Sequence, residues 1–397
     1  MRLACADQGE LTYCSNIHPG ETWAEVRANL ERHLLPVRER VAPGKPFGIG
    51  LRLSAIAAEE LATPEAFRSF EQFLQANELY VFTLNGFPYG PFHGTRVKED
   101  VYQPDWSYDE RLTYTDRLAD LLARLLPEGG YGTISTVPGT FKPLASDETV
   151  AQIADNLIRH AAKLALLERT TGRTIALALE PEPFCFLETI DETVRFFKRQ
   201  LFSARATERL AGLTRTSTAA AEIALRRHLG VCYDVCHAAV EYEDPAASLG
   251  ALRRAGIGIA KLQLSAALRI EAVDEATVAR LRPFDDGVYL HQTIAARGGE
   301  LTRHLDLQDA FAAVDEERGA EWRVHFHVPI FLERMEHFGT TQSFLAEILD
   351  LHAKEPISPH LEVETYTWGV LPPEYRTSDV SEAVARELAW VLNRLAA

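Results

Sequence analysis

Short apolar runs alternate along the chain with segments in which apolar residues recur every three or four positions. The runs at 11–17, 47–54, 79–85, 132–137, 174–179, 230–234, 257–264, 324–328 and 360–367 are the candidate strands. Between most of them the period is helical. Trp23, Val26, Leu30 and Leu34 share one face over 21–40, and Val150, Ile153, Ala154, Leu157, Ile158, Ala161 and Leu164 mark a longer stripe. Thr63-Pro64, the capping-box spacing from Thr189 to Glu192, and Asp244-Pro245 each announce a helix start. Further helices are expected over 64–77, 108–126, 207–229 and 380–395.

Repeated strand-then-helix units imply a parallel sheet with right-handed crossovers. Eight such units close into an α/β (β/α)8 TIM barrel. An open doubly wound sheet is the alternative, but the first strand is not followed by a G-x-G-x-x-G turn. One region breaks the rhythm. The stretches 288–294 and 301–305 flank Arg297-Gly-Gly-Glu300 and read as a hairpin. It falls in an insertion after the seventh strand, over 265–323, and the extra strand at 324–328 belongs with it. No linker marks a second domain, so 1–397 is read as one barrel.

Charge narrows the partners. Asp and Glu outnumber Lys and Arg by 57 to 41, a net charge of −16. Nucleic-acid binding relies on cations neutralising phosphates, so DNA and RNA are not expected partners. No apolar run approaches the ~20 residues of a membrane span, and no membrane insertion is expected. Cysteines 5, 14, 185, 232 and 236 form no paired set and read as thiols of a reducing compartment. With no signal-peptide pattern over 1–16, a cytoplasmic location is expected. Oligomeric state is not legible.

The strand ends carry the candidate chemistry. The fifth strand ends in Glu180, the sixth in Asp234, the seventh in Gln263 and the eighth in Glu364. His237 follows Asp234 by three residues and is expected in the loop. His325 and His327, two apart, lie on one face if that stretch is extended. In a barrel the C-terminal strand ends face one mouth. Converging carboxylates and imidazoles suit a divalent metal, whereas carboxylates crowded together without a cation are driven towards protonation. Any one of these acids alone reads as a helix cap; four consecutive strands ending this way favour a site. Cys232 and Cys236 flank the carboxylate without partner pairs and read as packing. The loop from Gly86 to Gly94 is too rich in Gly, Pro and aromatics to be regular. Its Tyr89, Phe92 and His93, with Trp106, are candidate substrate walls.

These residues carry a resemblance. Glu180-Pro-Glu-Pro183, Asp234-Val-Cys-His237, Leu262-Gln-Leu-Ser-Ala266, Val324-His-Phe-His327 and Val363-Glu-Thr-Tyr366 resemble motifs of the xylose-isomerase-like barrel superfamily, including its endonuclease IV branch. Leu84-Asn-Gly-Phe-Pro-Tyr-Gly-Pro-Phe-His93, 97–106 and 261–268 look like the EboE "metabolite traffic" family, a resemblance that extends over nearly the whole chain.

The resemblance implies metal ligands at Glu180, Asp234, His237, Gln263, His325, His327 and Glu364, for Mn, Zn, Mg or Co. It implies Glu180 and Glu364 as acid and base, His237 as a further catalytic or ligand group, and Glu182 and Glu362 beside the substrate. Glu182 stands where aldose isomerases have a lysine, and Gln263 where a histidine ligand is usual, which argues against a hydride-shift aldose isomerase and against a three-zinc nuclease. The Glu180/Glu182 and Glu362/Glu364 pairs each share a strand parity, so periodicity leaves both choices open. The expected function is a metal-dependent isomerase or epimerase acting on a sugar, polyol or sugar-phosphate-type small molecule. The alternatives are a metal-dependent hydrolase of a small phosphorylated metabolite, completed by His325 and His327, and a non-catalytic metabolite-binding barrel.

Overall fold

The computed structural model describes residues 1–3, 8–376 and 379–396; Cys5 lies outside them. Seven strands come first: β1 (Glu10–Tyr13), β2 (Phe47–Arg52), β3 (Leu79–Asn85), β4 (Tyr131–Thr136), β5 (Thr174–Leu179), β6 (Leu229–Asp234) and β7 (Ile259–Leu264). Five short strands follow: β8 (Leu268–Ile270), β9 (Thr293–Arg297), β10 (Glu300–His304), β11 (Glu321–Val324) and β12 (Gly339–Thr340). The last strand is β13 (His360–Val363).

β1 to β7 and β13 make one parallel sheet in the order β1-β13-β7-β6-β5-β4-β3-β2. A parallel bridge from Cys14 to Gly50 brings the outer strands β1 and β2 together. The sheet is therefore a nearly closed eight-stranded barrel, and the open doubly wound arrangement is not what forms. Strands in such a sheet are covered on both faces. That is why β2 and β6 are buried along their whole length. At Gly50 the bareness of the residue is itself structural. A Cβ there would lie 1.8 Å from Glu362 Oε1 and 2.6 Å from the Tyr13 carbonyl oxygen.

The helices start where the caps place them. Thr22 and Thr189 each form a reciprocal capping box, with Glu25 and Glu192, and Asp244 caps Pro245–Arg254. Two expectations shift. The stretch 207–229 is broken into Ala204–Thr214 and Thr218–His228, because Arg215 turns left-handed (φ 53°) and Ser217 caps a new start. β1 stops at Tyr13, and Ser15–Ile17 winds into a 3-10 turn.

The second sheet has the order β10-β9-β11-β8-β12. Its hairpin turns on Gly298 and Gly299, both at positive φ (60° and 89°), where a side chain would be strained. The excursion continues past residue 323 to Thr340 before the helix Gln342–Lys354 leads back to the barrel. No helix among the described residues is long and apolar enough to cross a membrane.

Candidate functional site

Three carboxylates meet at the C-terminal end of the barrel. Glu180 directly follows β5, Asp234 is the last residue of β6, and Glu364 directly follows β13. One oxygen from each lies within 4.8 Å of the others, and all three residues are buried. Asp234 Oδ1 accepts from the His237 backbone N–H (3.0 Å) and from Ser265 Oγ (2.7 Å). Glu364 Oε1 accepts from Asn16 Nδ2 (2.6 Å) and Asn85 Nδ2 (3.3 Å). Asp234 Oδ2 and Glu180 Oε2 are left with no partner. Burial, then the neighbouring Glu364 and Asp234 charges, pushes the Glu180 carboxyl well above its usual range. The same causes, burial and then Asp234, raise Glu364 to about 8.

Asp234 serves two roles at once. Its side chain caps the short helix Val235–Val240, which places His237 in the first helical turn rather than in a loop. His237 Nδ1 lies 2.9 Å from the Pro181 carbonyl oxygen, and His327 Nδ1 lies 2.8 Å from that of Glu364. A carbonyl only accepts, so both Nδ1 atoms carry the proton. His325 Nδ1 lies 2.7 Å from Gln292 Oε1. The Gln292 amide nitrogen is turned away, donating to Tyr102 Oη (3.0 Å) and the Pro183 carbonyl (3.2 Å). His325 Nδ1 is therefore also a donor.

His325 Nε2 sits between the Nε2 atoms of the other two rings. His325 Nε2 lies 3.1 Å from His237 Nε2 and 3.3 Å from His327 Nε2. Burial, then the neighbouring imidazoles, holds His325 well below its usual pKa. Burial first holds His327 at about 4. A cation would satisfy His325 together with one neighbouring ring at a time, with His237 and Glu182 or with His327 and Cys236. The spacing fits that role, since two ligands at ~2.0–2.1 Å on a tetrahedral ion stand ~3.3 Å apart. Asp234 joins His237 and His327 in one candidate ligand group and the carboxylates in another, and Glu182 joins His237 and His325 in a third. A donor set of imidazole nitrogen and carboxylate oxygen fits a divalent transition ion or zinc.

Glu180, Glu182, His237, His325 and Glu364 form one side of a cavity that opens to solvent. Phe92 lines it too, from the loop after β3. Other sequence candidates are not brought to the wall. Tyr89 packs edge-on against Tyr114 (5.1 Å). Trp106 is fully buried and donates to Thr136 Oγ1 (3.0 Å). His93 stands behind the lining, between the Asn16 carbonyl (2.5 Å) and the Tyr289 hydroxyl (3.0 Å). Glu362 is committed to Lys261 inside the barrel. Gln263, in register with Asp234, is wholly buried with Nε2 unpartnered and Oε1 4.0 Å from Cys232 Sγ. It does not line the cavity.

Several participants escaped the sequence reading. Asn16 and Asn85 had a usable signal, since both are polar residues closing early apolar strands. Lys98 and Tyr102, in the 3-10 turn Lys98–Tyr102, and Tyr289 and Gln292, just ahead of β9, had none, since nothing in their spacing marks them for the site.

No protein-family model and no curated protein sequence matches this chain. Solved structures do resemble it. A xylose isomerase-like TIM barrel protein from Mycobacterium smegmatis, in complex with magnesium, superposes with a TM-score of 0.52 at 12% identity, covering 98% of this chain and 96% of that one. The probable 3-DHS dehydratase AsbF from Bacillus anthracis gives 0.48 at 13% identity, covering 97% and 99%. A D-tagatose 3-epimerase-like protein gives 0.48 at 12%, covering 98% and 100%. The fold assignment rests on the first of these together with the sheet topology. The chain has the fold of the xylose isomerase-like TIM barrels.

Proposed function

We propose that the protein is a divalent-metal-dependent isomerase or epimerase acting on a small sugar, polyol or sugar-phosphate-type metabolite, with kinship to the EboE metabolite traffic proteins. One observation carries the reading: three imidazoles with Nδ1 tied off and Nε2 atoms converging beside three buried carboxylates. Asp234, His237 and His327, or Glu182, His237 and His325, would hold an ion, with Glu180 and Glu364 grouped through Asp234. When bound, the ion supplies Lewis acidity that polarises a substrate carbonyl.

The chain's own groups do the proton work. Glu180, on the cavity wall, would take a proton from the carbon next to the carbonyl once a bound cation keeps its carboxyl ionised. Glu364, fixed by Asn16 and Asn85, returns one from another direction. Tyr102 and Gln292 hold Glu182 in place at 2.7 and 3.4 Å. The test is metal analysis of purified protein beside its Asp234→Ala variant, followed by incubation of ketoses in D₂O. Lower metal in the variant and deuterium at the carbon beside the carbonyl are expected. Equal metal content in the two proteins sinks the site.

The imidazole cluster also favours a second reading, hydrolysis of a small phosphorylated metabolite. An imidazole-rich group and a carboxylate group sharing Asp234 have the makings of a two-ion site that activates water. Phosphate release without deuterium uptake would select it.

A further inference from the structure

The cavity has two chemically different halves. One holds Glu180, Glu182, Glu364, His237 and His325. Beside them are Phe92, Val97, Val101, Tyr289, Leu290 and Tyr366, whose ring packs on His327 at 4.6 Å. Three of these rings pack on one another, Phe92 to Tyr289 at 5.2 Å, Phe92 to Tyr366 at 5.3 Å and Tyr289 to Tyr366 at 5.1 Å. The wall is pre-formed across two segments. The backbone N–H groups of Val97 and Lys98 donate to the Val288 carbonyl at 2.9 and 3.1 Å, clasping the loop after β3 to the stretch before β9.

Several polar atoms on and around this wall are committed already, the Tyr366 hydroxyl and Asn16 Oδ1 being exceptions. The Tyr289 hydroxyl pairs with His93, and the Tyr102 hydroxyl donates to Glu182. The amides of Asn16 and Asn85 are held by Glu364. Lys98, the one Lys or Arg among the described lining residues, is ion-paired with Asp306. A free sugar carries a hydroxyl on nearly every carbon. At this wall those hydroxyls would leave water for rings and aliphatic side chains, and each unmet hydroxyl is costly. A phosphate would find the one lysine or arginine among the described lining residues already neutralised.

We propose that the substrate is amphiphilic: adjacent hydroxyl and carbonyl oxygens at one end and a flat apolar ring at the other. This rests on the metal-dependent isomerase or epimerase reading of the same site and replaces its sugar-type substrate with an aryl hydroxy-ketone. The oxygen end lies against the carboxylates and imidazoles, and the ring lies against Phe92, Tyr289 and Tyr366, where apolar burial and ring stacking favour it. The ring end, not a run of hydroxyls, sets specificity.

Three neutral probes separate the possibilities: 2-hydroxyacetophenone, hydroxyacetone and D-fructose. The first two share the hydroxy-ketone end and differ in phenyl against methyl. Binding of each is measured by titration calorimetry to the full chain, both loaded with Zn(II) or Mn(II) and stripped with a chelator. The expected result is 2-hydroxyacetophenone binding at least about tenfold more tightly than hydroxyacetone or D-fructose. Phe92→Ala shrinks the phenyl-to-methyl ratio towards unity without changing metal content. D-Fructose binding as tightly as 2-hydroxyacetophenone overturns the proposal, as does no measurable binding of 2-hydroxyacetophenone. Failure of the underlying reading looks different: the affinities for all three probes are then the same in loaded and stripped protein, while the phenyl-to-methyl ratio still reports on the wall.

Discussion

Lys261 and Glu362 form an ion pair sealed inside the barrel, with no exposed surface on either side chain. Lys261 Nζ also reaches Ser135 Oγ at 3.3 Å. Burial works against the ammonium charge, and the Glu362 carboxylate beside it more than offsets this, raising the Lys261 pKa. Glu362 and Glu364 share a parity on the same strand end, yet they have different partners. Glu362 belongs to the barrel interior, while Glu364 reaches the cavity.

Removing one member of that pair strands the other. Lys261→Met leaves a carboxylate in the interior without a counter-charge and should cost about 3–5 kcal/mol of stability. Lys261→Met combined with Glu362→Gln should recover most of that loss, because no buried charge is left. Urea denaturation of both variants reads the difference. A double variant no more stable than the single one would show that the pair is not what keeps the interior stable.

Gln292 should matter to metal affinity without being a ligand. Its Oε1 holds the His325 Nδ1 proton and so keeps Nε2 free to bind. Gln292→Leu removes that acceptor and should weaken metal binding by about 10–100-fold, beside a stability loss of about 1–3 kcal/mol for each buried partner left unpaired. Competition against a chromophoric chelator measures it, and unchanged affinity would refute the tautomer assignment.

The barrel was legible because its two periodicities are local. A short apolar run and a helical stripe each show themselves without knowledge of what they pack against. Glu180, Asp234 and Glu364 were legible for a related reason, since a strand end places its side chain wherever the barrel's rim lies. Depth was not legible. Glu362 and Glu364 are indistinguishable by parity, and only the position of Lys261 on a different strand separates them. Nor was the histidine geometry. β11 ends at Val324, so an extended strand does not bring His325 and His327 together. Carbonyl and amide acceptors from Glu364 and Gln292 orient the rings instead. Tyr89 and Trp106 illustrate the converse, because aromatic residues near a site read the same in sequence whether they face the cavity or the core.

Glu387 predicts a pH slope in stability. Burial raises its carboxyl to about 8, although Thr365 Oγ1 (2.6 Å) and the Ile330 N–H (3.1 Å) both donate to it. The folded state therefore keeps a proton that an unfolded chain releases near 4.5. The unfolded state binds fewer protons through this window, so Glu387's contribution falls as pH rises, by about 1.4 kcal/mol per unit. Below the unfolded pKa that contribution is fully present. Glu387→Gln keeps an acceptor for both hydrogen bonds and cannot titrate. Relative to this variant, the wild type should lose stability steadily between pH 5 and 8 in urea titrations. Parallel curves would rule out a raised Glu387.

Arg111 should govern the aromatic loop after β3. It is fully buried on the helix Asp109–Leu125, and its guanidinium donates to three backbone carbonyls: Gly86 (2.8 Å), Phe87 (3.0 Å) and Pro104 (2.7 Å). One side chain thus pins both ends of the segment that carries Phe92, Val97 and Lys98 to the cavity. Arg111→Met leaves those carbonyls buried and unpaired, at about 1–3 kcal/mol for each group that cannot find water. Because the loop joins elements that keep their own packing, the loss should first appear as local opening. Limited proteolysis should cut between residues 86 and 104 much faster in Arg111→Met than in the wild type, at temperatures where far-UV circular dichroism is unchanged. Arg111→Lys should not restore protection, since a single ammonium lacks the planar fork that reaches three carbonyls. If both variants resist cleavage as the wild type does, the loop is held by its clasp to Val288 and not by Arg111.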